Sequence, residues 1–482
     1  MPSIRYNFIY NALLNISRVI FPLITAPYVS RILEPDGVGL FNFANTYAGY
    51  FALFAVLGIP TYGIREVAKI HDDKEKLSTL VSELLSLSLF TTLGITMIYL
   101  SSLLLIKQLY ENHIIFFISG FLLYFAPLRI DWFFSGLEQF KYITIRTIII
   151  RSLSIIALFL FVHTKSDLII YVILNVFGII GGDIWNFIKL QHLGIKPRIV
   201  LSGLKKHLSP LFVLFSASIA VSIYAVLDTL MLGFMTDYRE VGFYNNAIHI
   251  SKTLLAIITG LSLVAIPRMS QYFESRDYDK ISDLANKSFS LVVFLAVPLT
   301  LGIICIAPTF VPLFYGQEFY GVILPLIILS FLVIAIGLNN VFGVQTLIPM
   351  NLDNLFLYSI LGGSISNFTL NLVLIPLWGS VGAAISSIIA ESVVAVLMAI
   401  FIYQQTPVRF TRSYMNALKS IAGALLFIPL IWLLHKWVDG WMLVIEFFFC
   451  GSIVYCLSQK IFGNTTVDLL QPIIMQKIRS NV

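Results

Sequence analysis

The sequence predicts an all-α integral membrane protein with about fourteen transmembrane helices, arranged as two pseudo-symmetric six-helix lobes plus two C-terminal helices. Three observations carry that expectation. Of the 482 residues, 58% are apolar and 12% charged, whereas soluble domains carry about 25% charged residues. Runs of about 20 apolar residues recur so closely that no sizeable soluble domain fits between them. A motif near residue 38 returns near residue 241, six spans later.

Taken in order, spans fall near 8–30, 38–63, 78–106, 113–130, 142–162 and 168–188. A basic connection at 189–208, with Lys189, Lys196, Arg198, Lys205 and Lys206, then separates six spans from eight. The remainder lie near 209–235, 241–266, 288–314, 320–348, 355–376, 380–403, 414–434 and 441–462. This division sets an N-terminal lobe over 1–200, a C-terminal lobe over 201–410, and two final spans with a short cytoplasmic tail over 411–482. Several spans exceed 25 residues, which implies tilt, kinks or extension into water, and Pro22, Pro127, Pro298 and Pro325 are the expected kink sites. The N-terminus has Arg5 and then Asn11, Asn15 and Arg18, without the short apolar core of a cleavable leader, so the first span is expected to remain.

Lysine and arginine set the orientation. Twenty-three lie on the N-terminal side of the membrane, and five lie on the other: Arg31, Lys107, Lys165, Arg239 and Lys436. The bias places both termini in the cytoplasm. The net charge of +6 is then mostly this asymmetry and does not argue for nucleic acid. Cys305, Cys450 and Cys456 fall inside spans without ligand spacing, and the seven histidines are scattered. Small core thiols and no metal site are expected.

The repeat matches Val38-Gly-Leu-Phe-Asn42-Phe-Ala44 to Val241-Gly-Phe-Tyr-Asn245-Asn-Ala247, and Arg65 to Arg268, at an offset of 203 residues. Six spans preserve orientation, so the two copies are related by an axis along the membrane normal.

Three cations, Arg18, Arg151 and Lys252, lie deep inside apolar runs. A charge there costs about 2.5–3.5 kcal/mol on insertion scales, so each is expected to face a hydrated cavity or a partner. Asn11, Asn15, Arg18, Pro22 and Thr25 share one helical face, as do Asn245, His249 and Lys252. Asn42, Thr46 and Gly49, the repeat partners in the second span, are neutral, so the two copies share the charge unevenly. Ser218, Ser222 and Asp228 line the seventh span, Ser364, Asn367 and Asn371 the eleventh, and Ser387 and Glu391 the twelfth. Asp183 and Glu446 are further intramembrane acids. The neutral stripes read equally well as contacts between helices. Arg65 and Arg268, at cytoplasmic span ends, read either as topology signals or as symmetric gate residues, and Arg146 reads as interfacial.

Soluble chemistry is nearly absent. Asp277-Tyr278-Asp279 is an acidic pair in a short loop with no domain to support it, and no glycine-rich phosphate loop occurs. No cofactor is expected, and transport would draw on a proton or sodium gradient or on the substrate's own disequilibrium.

Two segments carry a family resemblance. Arg31-Ile-Leu-Glu-Pro-Asp-Gly-Val-Gly-Leu-Phe-Asn42, with Gly58-Ile-Pro-Thr-Tyr-Gly-Ile-Arg65-Glu-Val-Ala-Lys69, resembles the N-terminal signature of the polysaccharide transporter family. Arg129-Ile-Asp131-Trp132-Phe-Phe-Ser-Gly136-Leu-Glu138-Gln-Phe-Lys141 resembles the segment after that family's fourth span. The resemblance implies a fold similar to the multidrug and toxin extruders, with two lobes rocking between inward-open and outward-open states. It implies a flippase in the bacterial inner membrane that moves undecaprenyl-diphosphate-linked repeat units to the periplasmic leaflet for O-antigen or capsule assembly. A polysaccharide polymerase and a chain-length regulator are the partners it implies. Arg18, Arg151 and Lys252 would then supply charge to the diphosphate, while Asn11, Asn15, Asn245, His249, Asn367 and Asn371 would serve the sugars. Asp228 and Glu391 would serve ion coupling.

Three rivals remain at this stage. A drug or cation extruder of the same fold would line its cavity with acids and aromatics, whereas the buried charge here includes cations in both lobes. A membrane-bound polymerase or glycosyltransferase would carry a large external catalytic loop. A non-transporting scaffold leaves the buried charges unexplained.

Overall fold

Every one of the fourteen apolar segments falls on helix in the computed structural model, which describes residues 4–410 and 413–468. Lys477 and Arg479 lie outside the described residues, as do the side chains of Ser218 and Ser222. Among the described residues, nine helices are long and apolar enough to cross a membrane. The chain forms two compact units, Met1–Gly242 and Phe243–Val482.

The first unit contains α1 (Ile4–Val56), α2 (Ile59–Lys69), α3 (Lys74–Leu105), short turns of helix over His113–Leu128, α4 (Asp131–Gly136), α5 (Phe140–Phe161), α6 (Leu168–His192) and α7 (Lys205–Met235). It extends past the basic connection at 189–208 because α7 packs on α1 and α2. Helix α1 runs through the first expected span and into the second, and it breaks in the connection expected between them. Its backbone leaves helical geometry at Glu34, with φ +56°, because the ring of Pro35 disfavours the α conformation of the preceding residue. Lys165 pairs with the Glu34 carboxylate at this break.

Hydrophobic burial does not drive helices together inside lipid, so close backbone approach and van der Waals packing must do so. The two signature segments show this directly. A methyl on Gly63 of α2 would sit 2.3 Å from the Trp132 ring of α4, and one on Gly136 of α4 would sit 2.7 Å from Val67 of α2. Gly58 opens α2 with φ +75°, a conformation that glycine adopts without strain, and its Cα faces the Phe215 amide of α7. Around these contacts Ile130, Phe133, Phe134 and Leu84 are fully buried. Gly39 approaches even more closely, since a Cβ there would lie 1.7 Å from the Tyr238 carbonyl oxygen. Gly242, its repeat partner, would bring a Cβ to 2.4 Å from the Pro35 carbonyl oxygen.

Beyond the start of α8 (Tyr238–Glu274), the second unit holds α9 (Tyr278–Phe314), α10 (Ile323–Ser330), α11 (Leu332–Asn339), a π-helical turn (Asn340–Leu347), α12 (Asp353–Gln405), α13 (Tyr414–Leu425), α14 (Phe427–Leu434) and α15 (Gly440–Ile461). Helix α9 is central, packing on α10, α11, α13 and α15. Its side chains Val292, Val293 and Val297 join Phe342, Met398, Phe427 and Tyr455 in the core. Helix α12 breaks at Gly379, with φ +53°. Pro298 lies within α9, Pro325 in the first turn of α10, and Pro127 in a 3-10 turn. Each unit starts a long helix after a polar loop with an aspartate cap: Asp73 accepts from the Glu75 and Lys76 amides, and Asp277 from the Lys280 amide. The Lys76 amide holds the Asp73 carboxyl below its ordinary range, and the Lys280 ammonium and amide do the same for Asp277.

Candidate functional site

The polar face of α1 is a hydrogen-bonded run. Asn15 Nδ2 donates to Asn11 Oδ1 at 3.5 Å, and Arg18 Nη1 donates to Asn15 Oδ1 at 3.3 Å. All three residues are exposed on the helix. Helix α5, which carries Arg151, packs on α1, which carries Arg18. Arg151 is half-buried and lines a cavity of about 180 Å³, bounded also by Thr25, Ser154, Tyr171 and Asn175. Among the described residues neither arginine forms an ion pair with an acid. A half-buried cation at a cavity is stabilised when an anion enters beside it. That volume suits a phosphate-sized group and is below the 300–1,000 Å³ of sites that enclose a whole small molecule.

Arg146 corrects the expectation of an interfacial side chain. It is 4% exposed, and its Nη2 lies 2.9 Å from Asp131 Oδ1. Arg146 Nη1 donates to the Gly182 carbonyl at 2.8 Å, and Asn186 Nδ2 donates to Asp131 Oδ1 at 2.7 Å. Asp183, 3% exposed, lies 3.8 Å from Arg129 Nε. Two arginines and two aspartates thus neutralise one another among α4, α5 and α6, and Arg146 is not available as a free cation. A second buried network joins α2, α3 and α7. His207 and Lys206 contact the two oxygens of Glu83 at 2.9 and 2.8 Å, and the Tyr62 hydroxyl meets His207 Nδ1 at 2.8 Å.

In the same unit Asp228 is buried in α7. Arg65 is exposed on α2, pairs with Glu66 at 3.0 Å and lies over the Tyr62 ring. In the second unit Lys252 and His249 are exposed on one face of α8, Asn245 is buried a turn earlier, and Arg268 is exposed further along. Asn367 and Asn371 of α12 are buried and bonded to each other, Asn371 Nδ2 donating to Asn367 Oδ1 at 3.2 Å. Glu391 Oε2 accepts from Asn339 Nδ2 at 2.5 Å, an interhelical bond between α12 and α11. Asn339 was not legible as its partner, since 52 residues separate the two in sequence. Among the described residues no group of His, Cys, Asp and Glu is placed to hold a metal. Cys305 and Cys450 are partly buried and Cys456 is exposed.

Comparisons with known proteins agree with this architecture. The family model described as "Polysaccharide biosynthesis protein" matches residues 4–273. A protein named as an O-antigen transporter of Escherichia coli (strain K12) is 27% identical over 408 residues, covering 83% of this chain and 97% of that protein. The lipid II flippase MurJ in an inward closed conformation superposes with a TM-score of 0.74 at 15% identity, covering 97% of this chain and all of that one. An inward-facing multidrug resistance MATE transporter of the MOP superfamily superposes with a TM-score of 0.61 at 14% identity, over 83% of this chain and 94% of that one.

Proposed function

Because the chain belongs to the polysaccharide biosynthesis protein family, as a multi-pass membrane transporter and not an enzyme, we propose that it flips undecaprenyl-diphosphate-linked oligosaccharide repeat units from the cytoplasmic to the periplasmic leaflet. The observation that carries this reading is Arg151, half-buried at a small cavity with Thr25, Ser154 and Asn175, on a helix packed against the one that bears Arg18. A diphosphate would bring the anion to that cation, and the amides of Asn11 and Asn15 offer hydrogen bonds along the face of Arg18. The polyprenyl tail can stay in lipid while only the polar head crosses. Within the second unit by itself, we assign cargo contact to Lys252, with His249 and Asn245 on α8.

The cycle is alternating access, in which the cargo must bind the two states with different affinity. We assign ion coupling to Asp228 and Glu391, the buried acids of α7 and α12. Flipping in vesicles with and without a proton or sodium gradient tests that assignment, and a rate indifferent to both gradients removes it. We place the protein in a bacterial inner membrane with cytoplasmic termini, serving O-antigen or capsule assembly, a reading supported by the charge bias and by the relatives' names. Asn367 and Asn371, bonded to each other in the core, fit helix packing better than sugar contact. A drug extruder of the same fold is disfavoured by Arg18 and Arg151, since cationic drugs would add a further like charge. Loss of the gene is expected to trap lipid-linked repeat units in the cytoplasmic leaflet, and an unchanged leaflet distribution overturns the proposal.

A further inference from the structure

A cavity of about 630 Å³ in the first unit, separate from the one that Arg151 lines, lies where the first turns of α1 and α5 meet α6. Its interior is apolar. Ile145, Ile149 and Trp185 line it, as do Tyr10 and Tyr142. The rim is polar and carries one charge of each sign. Glu138 and Lys141 stand three residues apart there, and Asn7 Nδ2 donates to Glu138 Oε2 at 3.2 Å. Glu138 also holds φ +56°, a left-handed backbone that a non-glycine residue adopts rarely and at a cost.

The chemistry of this rim selects among amphipathic ligands. Arg146 borders the cavity, but Asp131 absorbs its charge. A diphosphate would therefore meet Lys141 beside a repelling carboxylate, with the Lys189 ammonium already held over the Tyr142 ring, 3.4 Å from its centroid. A sugar would find the hydroxyls of Tyr6, Tyr10 and Tyr142 and the Gln139 amide, but set in a wall that is mostly apolar. We propose that the cavity binds a zwitterionic aminophospholipid, with its ammonium on Glu138, its phosphate on Lys141 and an acyl chain along Ile145, Ile149 and Trp185. The volume is within the range of pockets that enclose most of a small ligand. The lipid is a structural ligand of the first unit, distinct from the transported cargo, and its binding does not rest on the flippase reading.

The test is native mass spectrometry of the full chain in detergent, titrated with phosphatidylethanolamine or phosphatidylglycerol. Wild type is expected to bind the ethanolamine lipid about three- to five-fold more tightly, the scale of a partly exposed ion pair. Glu138→Gln removes that preference, and Lys141→Met weakens both lipids alike. Trp185→Ala weakens both without changing their ratio. Equal binding of the two lipids by wild type overturns the proposal, as does a preference that survives in both Glu138→Gln and Lys141→Met. Displacement of bound phosphatidylethanolamine by a polyprenyl diphosphate, one molecule for one, also overturns it by assigning the cavity to the cargo.

Discussion

Arg146 Nη2 lies 2.9 Å from Asp131 Oδ1, joining α5 to the start of α4. The pair separates the cations of the first unit into two kinds: Arg146 is neutralised and structural, whereas Arg18 and Arg151 sit on packed helices with no acid paired to either among the described residues. Arg146→Ala would strand the Asp131 carboxylate and the Gly182 carbonyl. Asp131 is partly exposed, which softens the loss, so a destabilisation of about 2–3 kcal/mol is expected. Thermal unfolding in detergent checks this, and Asp131→Asn should cost less because Asn186 can still hydrogen-bond the amide.

The opposite signature is expected at Arg18 and Arg151. Arg18→Ala and Arg151→Ala each leave no acid stranded among the described residues, so neither should lower the unfolding temperature, while both should reduce export of surface polysaccharide at matched expression. Arg18→Lys distinguishes charge from geometry. A mild effect points to charge alone, and an effect equal to alanine points to two-pronged contact with phosphate.

Gly39 tests the close backbone approach. A Cβ there would overlap the Tyr238 carbonyl oxygen at 1.7 Å, and backbone cannot swing aside as a side chain can. Gly39→Ala is expected to cost at least about 3 kcal/mol, the upper end of overpacking effects. Size-exclusion profiles of a fluorescent fusion would report it as lost monodisperse protein. Gly49→Ala, with open space around the glycine, is the matched control and should behave as wild type.

Glu83 anchors the basic connection between α6 and α7. Glu83→Ala deprives Lys206 and His207 of their acceptor, and a loss of about 1–3 kcal/mol is expected. The Arg198 and Val200 amides bond the Ser82 and Ser86 hydroxyls on the same helix. Faster hydrogen exchange at those two amides is therefore the specific readout, and unchanged exchange there would show that the connection is held independently of Glu83.

Periodicity revealed the helices because a membrane span is written in consecutive residues. It revealed the shared face of Asn11, Asn15 and Arg18 for the same reason. Partners across helices leave no such trace. Arg146 resembled an interfacial residue because it stands in the second turn of α5, and only the fold shows that Asp131 and Gly182 enclose it. The break at Glu34 falls in the connection expected between the first two spans, next to Pro35. Glu391 was visible as an intramembrane acid, but the amide of Asn339 that binds it lies on another helix. The signature segments were recognisable before their purpose was. Gly63, Gly136 and Gly39 are small because a ring, a valine and a backbone carbonyl lie against them.

The most direct measurement is transfer of an undecaprenyl-diphosphate oligosaccharide across vesicles containing wild type, Arg18→Ala or Arg151→Ala at equal insertion. Wild type should move the lipid between leaflets, and each variant should lose most of that rate while retaining its unfolding temperature. Wild-type rates in both variants would contradict a role for the two arginines in holding the diphosphate.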